Sequence, residues 1–470
     1  MRVRTAVASA VLAVLAAAIV LVTQPASGLD PAATAGGVAA AWGLFAAGAW
    51  FVARLPARTA AALILVGGVV LPLAAALAPP RTSDDVYRYV WDGRVQAAGI
   101  DPYRYPPAAA ELVPHRDPGL WPPRSNWCVA PGAVDPETDR PLAPGCTLIN
   151  RPAVRTIYPP VAQAYFFAVH VVWPSVEAMQ LAAAAFAIAT TLLLLAALPR
   201  LGIDRRRAVL WAWCPLIALE AGNNAHIDVL AALLATAAVV ALARSATARG
   251  DLAGAALLGL AVATKLTPAL VVPALLRRPA MRVVAILGAA VTAVVVVYLP
   301  HMLAVGPSVV GYLPGYLGEE GYANGSRFAL LTLLVPESVA AFAAAAILAT
   351  VAAIVAYRAD SGRPWRGGLV MTGATLLVAA PGYPWYAILL VALVALDGRA
   401  EWLAVAVGGH VALYAADLHL ASSSAQRIGY GAAAAVIVAV TLARRRRPPT
   451  PRATGVVRPD VSGRAPARHI

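Results

Sequence analysis

Apolar runs long enough to cross a bilayer recur along almost the whole chain, and short arginine-bearing segments separate them. A spanning helix needs about 20 apolar residues, and Lys or Arg in short loops marks the cytoplasmic side. Composition agrees. Of the 470 residues 60% are hydrophobic and 13% charged, against about 25% charged in soluble domains. A mean hydropathy of +0.71 leaves no long polar region from which a soluble enzyme with one anchor is built. The formal charge of +14 does not mark a nucleic-acid binder, because residues 444–470 hold eight arginines against Asp460, half of the excess. The pattern predicts an all-α polytopic integral membrane protein.

Arg2 and Arg4 precede the run 5–22, which places the N-terminus inside; a cleaved signal peptide is the alternative for that run. Run 37–53 returns to Arg54 and Arg58, and run 59–78 crosses outward. Residues 79–159 then form a large extracytoplasmic loop after the third span, with nine acids and nine arginines in 81 residues. Run 160–173 is expected as a partly embedded helix, and 176–198 as a span ending at Arg200 and Arg205-Arg206-Arg207. Runs 208–222 and 226–243 make one short hairpin, 252–264 and 267–275 another. Runs 283–299, 328–357 (broken near Pro336), 369–380, 385–396, 401–416 and 427–443 complete the alternation, with a second outer loop at 300–326. About 12–14 transmembrane helices result, with both termini cytoplasmic; runs of 12–15 residues are read as half-helices lining a cavity. On this map 25 of the 37 basic residues are cytoplasmic. The chain divides into the first three spans (1–78), an outer loop with a polar motif and a juxtamembrane helix (79–175), a helical bundle (176–443) and a disordered basic tail (444–470).

Cys128 and Cys146 both fall in the large loop, and an exported loop faces a space where disulfides persist. Closing that loop stabilises by roughly 3 kcal/mol. Metal binding by the pair is the weaker alternative, and Cys214 in a span is expected to be an inert buried thiol.

Ionisable groups at membrane depth are costly and mark function by default. Here they gather at the outer ends of the apolar runs. One cluster is Ser83-Asp84-Asp85-Val86-Tyr87-Arg88-Tyr89-Val90-Trp91-Asp92-Gly93-Arg94; another is Glu220, Asn223, Asn224, His226 and Asp228. Lys265, the only lysine, precedes Pro268, and Tyr312, Tyr316, Glu319, Glu320, Tyr322, Asn324 and Arg327 surround the second loop, with Tyr383 and Tyr386 beyond. Each has a bland reading. Asp84 or Asp85 caps a helix, His226 pairs with Asp228, the tyrosines form an interface belt, and Lys265 snorkels. Together on one side of the membrane they argue for a shared outward-facing cavity. Adjacent carboxylates suit a general base for an acceptor hydroxyl, with one of the two pKa values raised by their repulsion. Arginines suit a phosphate leaving group. Nucleotide sugars are scarce outside the cell, which leaves a lipid-phosphate-linked donor.

These residues resemble the GT-C superfamily of polytopic glycosyltransferases that use polyprenyl-phosphate sugars. Within it the chain looks most like bacterial polyprenyl-phosphomannose-dependent mannosyltransferases of the glycosyltransferase family 87 type. The resemblance is carried by Asp84 to Tyr89, Trp91-Asp92-Gly93-Arg94, Gly99-Ile100-Asp101-Pro102-Tyr103, Ile157-Tyr158-Pro159-Pro160, Asn223-Asn224-Ala225-His226-Ile227-Asp228 and Ala263-Thr264-Lys265-Leu266-Thr267-Pro268. It implies an inverting enzyme of the bacterial plasma membrane with its active site outside. An aspartate of the first outer loop is then the catalytic base, a role that falls on Asp85 first, with Tyr89 four residues on, or on Asp84. It also implies a polyprenyl-phosphate sugar donor, a mannose donor by the nearer resemblance, and an envelope glycolipid or glycan acceptor, with membrane lipids around and no nucleic acid. Arg88, Arg94, Lys265 and Arg327 are candidate phosphate contacts; His226, Asp228, Tyr89 and Tyr158 are candidate substrate-binding groups. No cofactor is required, although Asp84 and Asp85 have the chemistry for a divalent metal and no third ligand at a fixed spacing joins them. The alternatives are a transporter or lipid flippase, a transferase for another lipid-linked sugar such as arabinofuranose, and a non-catalytic scaffold for envelope assembly.

Overall fold

A backbone in lipid must satisfy its own N–H and C=O groups, so unbroken apolar sequence becomes helix. The computed structural model describes residues 2–25 and 28–446, and it is built in this way. Three helices lead: α1 (Arg2–Thr23), α2 (Pro31–Val52) and α3 (Ala57–Ala75). Helix α2 starts six residues before the expected run because Asp30 accepts the Ala33 N–H at 2.6 Å and Pro31 supplies a preset first turn. The next helix is α4 (Asp85–Ala97), in the large polar segment. That segment also holds the only two strands among the described residues, β1 (Trp127–Val129) and β2 (Gly145–Thr147), paired antiparallel.

The bundle continues with α5 (Pro160–Val172), α6 (Val176–Arg200) and α7 (Val209–Ala212), then a π-helix, Ile217–Asn223, and α8 (Asp228–Arg244). Helix α9 (Ala248–Val262) folds back as a 3₁₀ segment, Thr267–Leu275, which forms the expected hairpin. Next come α10 (Ala280–Val305), α11 (Leu313–Glu319), α12 (Glu337–Arg358), α13 (Pro364–Ala379), α14 (Ile388–Asp397), α15 (Leu403–Leu413) and α16 (Ser422–Arg446).

Among the described residues seven helices are long and apolar enough to cross a membrane: α1, α2, α3, α6, the one opening with α10, α12 and α16. The shorter apolar runs form helices of 10 to 17 residues. At 1.5 Å per residue these fall short of a core about 30 Å thick. Two runs differ from expectation. Residues 328–336 are not part of a span, since Pro336 has no N–H to give and the helix begins after it. Helix α10 runs past Pro300 and stops at Gly306, where φ is 60°. The proposed tail beyond Arg446 lies outside the described residues.

Helix α14 is the axis of the molecule: every residue from Ile388 to Leu396 is buried, as suits a helix that is apolar all round. Helix α10 has the opposite character and buries only Ile286, so its apolar surface faces outward, as a lipid-facing span does. Helix α4 packs along α5. A Cβ at Gly93 would sit 2.5 Å from the Phe166 carbonyl oxygen, so only glycine permits this approach. A buried network completes the junction. Arg88 pairs with Asp92 at 2.9 Å, and Asp92 accepts from Thr156 at 2.7 Å and Gln163 at 2.9 Å.

Candidate active site

Two asparagines position the segment that leads into the aspartate doublet. The Asn223 amide donates to the carbonyls of Ala75, Ala78 and Pro79 at 3.0–3.1 Å, and its oxygen accepts the Arg81 N–H at 3.1 Å. Asn224 accepts from the backbone of Arg81 and Thr82 and donates to the Thr82 hydroxyl at 2.7 Å. The end of α3 is thereby fastened to the π-helix, and the chain passes into α4 with Asp84 and Asp85 at its first turn.

The doublet opens on a cavity of about 580 Å³. Such a volume lies within the range of small-molecule sites. Its walls come from four places: residues 82–88 with Trp127, residues 150–159, Lys265 at the α9 hairpin tip, and the tyrosines of segments 309–322 and 383–386. Asp84 accepts the Trp127 indole N–H at 3.0 Å, which ties it to the strand pair where Cys128 faces Cys146 in a disulfide. Asp85 accepts from the Asn150 amide at 2.6 Å. Among the described residues neither aspartate is ion-paired with a lysine or arginine. The nearest cationic candidate is His226, whose Nδ1 lies 3.7 Å from Asp85 Oδ2.

The cations of the cavity are already partnered. Lys265 bonds Asp228 at 3.0 Å and faces the rings of Tyr386 and Tyr158 at 5.5 and 5.8 Å. Arg151 pairs with Glu319 at 2.9 Å, and Arg88 is held by Asp92. Tyr158 lines the cavity; Tyr89 lies behind it, edge-on at 4.9 Å and stacked on Phe166 at 4.4 Å. Burial, reinforced by the Asp85 charge, pushes both phenols well above the ordinary tyrosine value, so they remain protonated. Tyr316 and Tyr386 meet hydroxyl to hydroxyl at 2.5 Å across the cavity wall.

Asp84, Asp85, Arg88, Tyr158 and Lys265 thus come together as cavity-lining groups. Asp228 adjoins through Lys265. His226 is wholly buried beneath Asp85, stacked on Trp385 at 4.0 Å, and does not line the cavity. Two candidates sit elsewhere. Arg94 lies on the other side of α4, paired with Asp117, and Arg327 is bound to Glu320 under the Tyr322 ring. Neither lines the cavity, because α4 carries Arg94 away from the face of Asp85 and Glu320 holds Arg327 in the adjoining wall.

Cavity-lining groups missed from sequence include Trp127, Asn150, Arg151 and Trp385. For the first three the only signal was the polar character of the 79–159 segment; Trp385 opens an apolar run and carried none. Among the described residues no three His, Cys, Asp or Glu side chains are grouped to hold a metal ion.

Residues 156–381 match the family model described as Glycosyltransferase family 87. The matched region includes Tyr158, His226, Asp228, Lys265, Tyr312, Tyr316 and Tyr322; the aspartate doublet precedes it, and Tyr383, Tyr386 and α14 follow it. No curated protein and no solved structure matches the chain.

Proposed function

From the match of residues 156–381 to the Glycosyltransferase family 87 model, in a chain with seven helices able to span a membrane among its described residues, we propose that the chain moves a sugar, mannose, from a polyprenyl-phosphate donor to an envelope glycolipid or glycan. The observation that carries the reading is Asp85. It is a cavity carboxylate without a lysine or arginine partner, oriented by Asn150, in the same cavity as Lys265 and Arg151.

Asp85 takes the proton of the acceptor hydroxyl as that oxygen attacks the anomeric carbon. The C1–O bond to the phosphate breaks on the opposite face, so the configuration inverts. Lys265 and Arg151 meet the charge that develops on the leaving phosphate. The aromatic lining of Trp127, Tyr158, Tyr312, Tyr316 and Tyr386 offers flat apolar faces to sugar rings and hydroxyls to their polar edges. The enzyme belongs to a bacterial plasma membrane, with both termini cytoplasmic and the cavity extracytoplasmic. The arginines of the short loops at the other end of the bundle support that orientation. Asp84, bound by Trp127, shapes the doublet rather than taking the proton.

The test is sugar transfer from polyprenyl-phosphomannose by the purified protein in nanodiscs, with an envelope lipid extract as acceptor. Asp85→Asn loses at least about 100-fold in turnover, and Asp84→Asn much less. An inactive wild type with several polyprenyl-phosphate sugars overturns the donor assignment. Lipid translocation without transfer favours the flippase alternative.

A further inference from the structure

Beneath Asp85 lies a buried acid and imidazole that the reaction above does not use. Glu220 is 1% exposed and His226 is fully buried. His226 Nε2 is 3.3 Å from Glu220 Oε2, and Nδ1 is 3.7 Å from Asp85 Oδ2 on the far side of the ring. Both are ion-pair distances, and among the described residues neither ring nitrogen makes a hydrogen bond. The chain bends sharply to make this arrangement. The π-helix, Ile217–Asn223, turns Glu220 back under the ring, and the His226 N–H closes on the Glu220 carbonyl at 2.8 Å. Ala225 is held at φ 57°, a conformation disfavoured for a residue with a Cβ and characteristic of functional sites. Trp385 stacks on the ring and fixes its plane.

We infer that His226, fixed by Glu220, is a positioning residue that orients Asp85 and receives the proton Asp85 collects; this rests on Asp85 being the base. A neutral imidazole has one N–H. With that N–H on Nε2, the nitrogen nearer Glu220, the Nδ1 lone pair is on the Asp85 side. When the acceptor hydroxyl gives its proton to Asp85, the new carboxylic O–H lies next to that lone pair. The proton passes to Nδ1, Asp85 is ionised again, and the imidazolium stands between two carboxylates against the Trp385 face. After the products leave, the proton returns through Asp85 to water. Protein hydrogen bonds of this kind are often long in the empty site and tighten with substrate bound.

The test compares pH profiles of kcat for the wild type, Glu220→Gln and Glu220→Asp in nanodiscs, with Asp85→Asn beside them. The groups set against the ring are Asp85 from α4, Glu220 from the π-helix and the stacked Trp385; the Lys265–Asp228 pair adjoins Asp85. His410 lies behind Glu220 at 3.9 Å, and Tyr414 adjoins it. Relay requires a free Nδ1 lone pair, so wild-type kcat is expected to fall on the acid side. Removing the Glu220 charge disfavours the imidazolium. Glu220→Gln therefore moves that acid limb down by about one pH unit and lowers the plateau about tenfold or more, with donor KM within about twofold of wild type. Glu220→Asp keeps the limb in place. Glu220→Gln is isosteric and still accepts from Asn224, so it carries the test; Glu220→Asp serves if it does not fold, and then a limb displaced from the wild-type position overturns the relay. A lower plateau with an unmoved limb means packing alone and overturns it, as does a Glu220→Gln profile identical to wild type. An active Asp85→Asn overturns the base assignment itself, a separate failure.

Discussion

The Asn150 side-chain amide donates to Asp85 Oδ1 at 2.6 Å, across 65 positions of sequence. This neutral donor holds the carboxylate in one rotamer without cancelling its charge, which is what a base facing a hydroxyl needs. Asn150→Ala removes a hydrogen bond to a charged group, worth about 1.5–3 kcal/mol. It is expected to lower kcat/KM about 10- to 100-fold and the thermal midpoint with it. Asn150→Asp places a second carboxylate against the first. The orienting donor is replaced by a like charge, so kcat/KM is expected to fall at least as far as in Asn150→Ala. Steady-state profiles of the two variants check both expectations.

The strand pair acts on the doublet from the other side. Cys128 and Cys146 face each other in the ladder, and the neighbouring Trp127 donates to Asp84. Cys128→Ser, or reductant on the wild type, is expected to cost about 2–4 kcal/mol of stability by releasing the closed loop. It also lets Trp127 leave the cavity wall, so donor KM rises. Thermal unfolding of purified protein with and without reductant tests the first effect. Equal midpoints would show that the ladder holds without its bond.

How far the sequence exposed this site depends on the kind of signal each residue carries. Asp84, Asp85 and Lys265 stood out because a charge beside apolar helix is costly wherever it lies, so its presence is informative without a partner in view. The hairpin that carries Lys265 was legible for the same reason, from two apolar runs too short to span. Asn150 and Trp127 were not legible: polar and aromatic residues are common in loops, and the contacts that give these two meaning come from residues 65 and 43 positions away. Arg94 misled because its partner, Asp117, is 23 positions on and only the folded loop brings it near. The cavity tyrosines read as interface belt, since an amphipathic ring at a helix end looks alike at a lipid boundary and in a cavity wall.

Asn223 is a clamp, and its loss should register as instability before it registers as chemistry. Its amide satisfies three carbonyls at the end of α3, and its oxygen satisfies the Arg81 N–H. Asn223→Ala leaves those buried groups without partners, at about 1–3 kcal/mol for an unsatisfied group. The expected result is a lower unfolding midpoint together with reduced transfer. Asn223→Asp restores an acceptor but no donor and recovers little. An unfolding midpoint equal to that of wild type would mean that the clamp is redundant with Gln180, which also bonds Ala78 at 2.8 Å.

Lys265 has two duties that a double variant separates. It neutralises Asp228, which is 4% exposed, and it presents a cation to the cavity. Lys265→Met leaves Asp228 charged and buried with no partner, a loss of about 3–5 kcal/mol for a pair broken on one side. The single variant is therefore expected to be unstable as well as inactive. Adding Asp228→Asn removes the stranded charge and should recover most of the unfolding midpoint. Donor binding should not recover, because the cation that meets the phosphate is still missing. The donor Kd of the double variant, measured in nanodiscs beside its midpoint, separates the duties. Recovery of both would assign Lys265 to structure alone and leave the phosphate to Arg151.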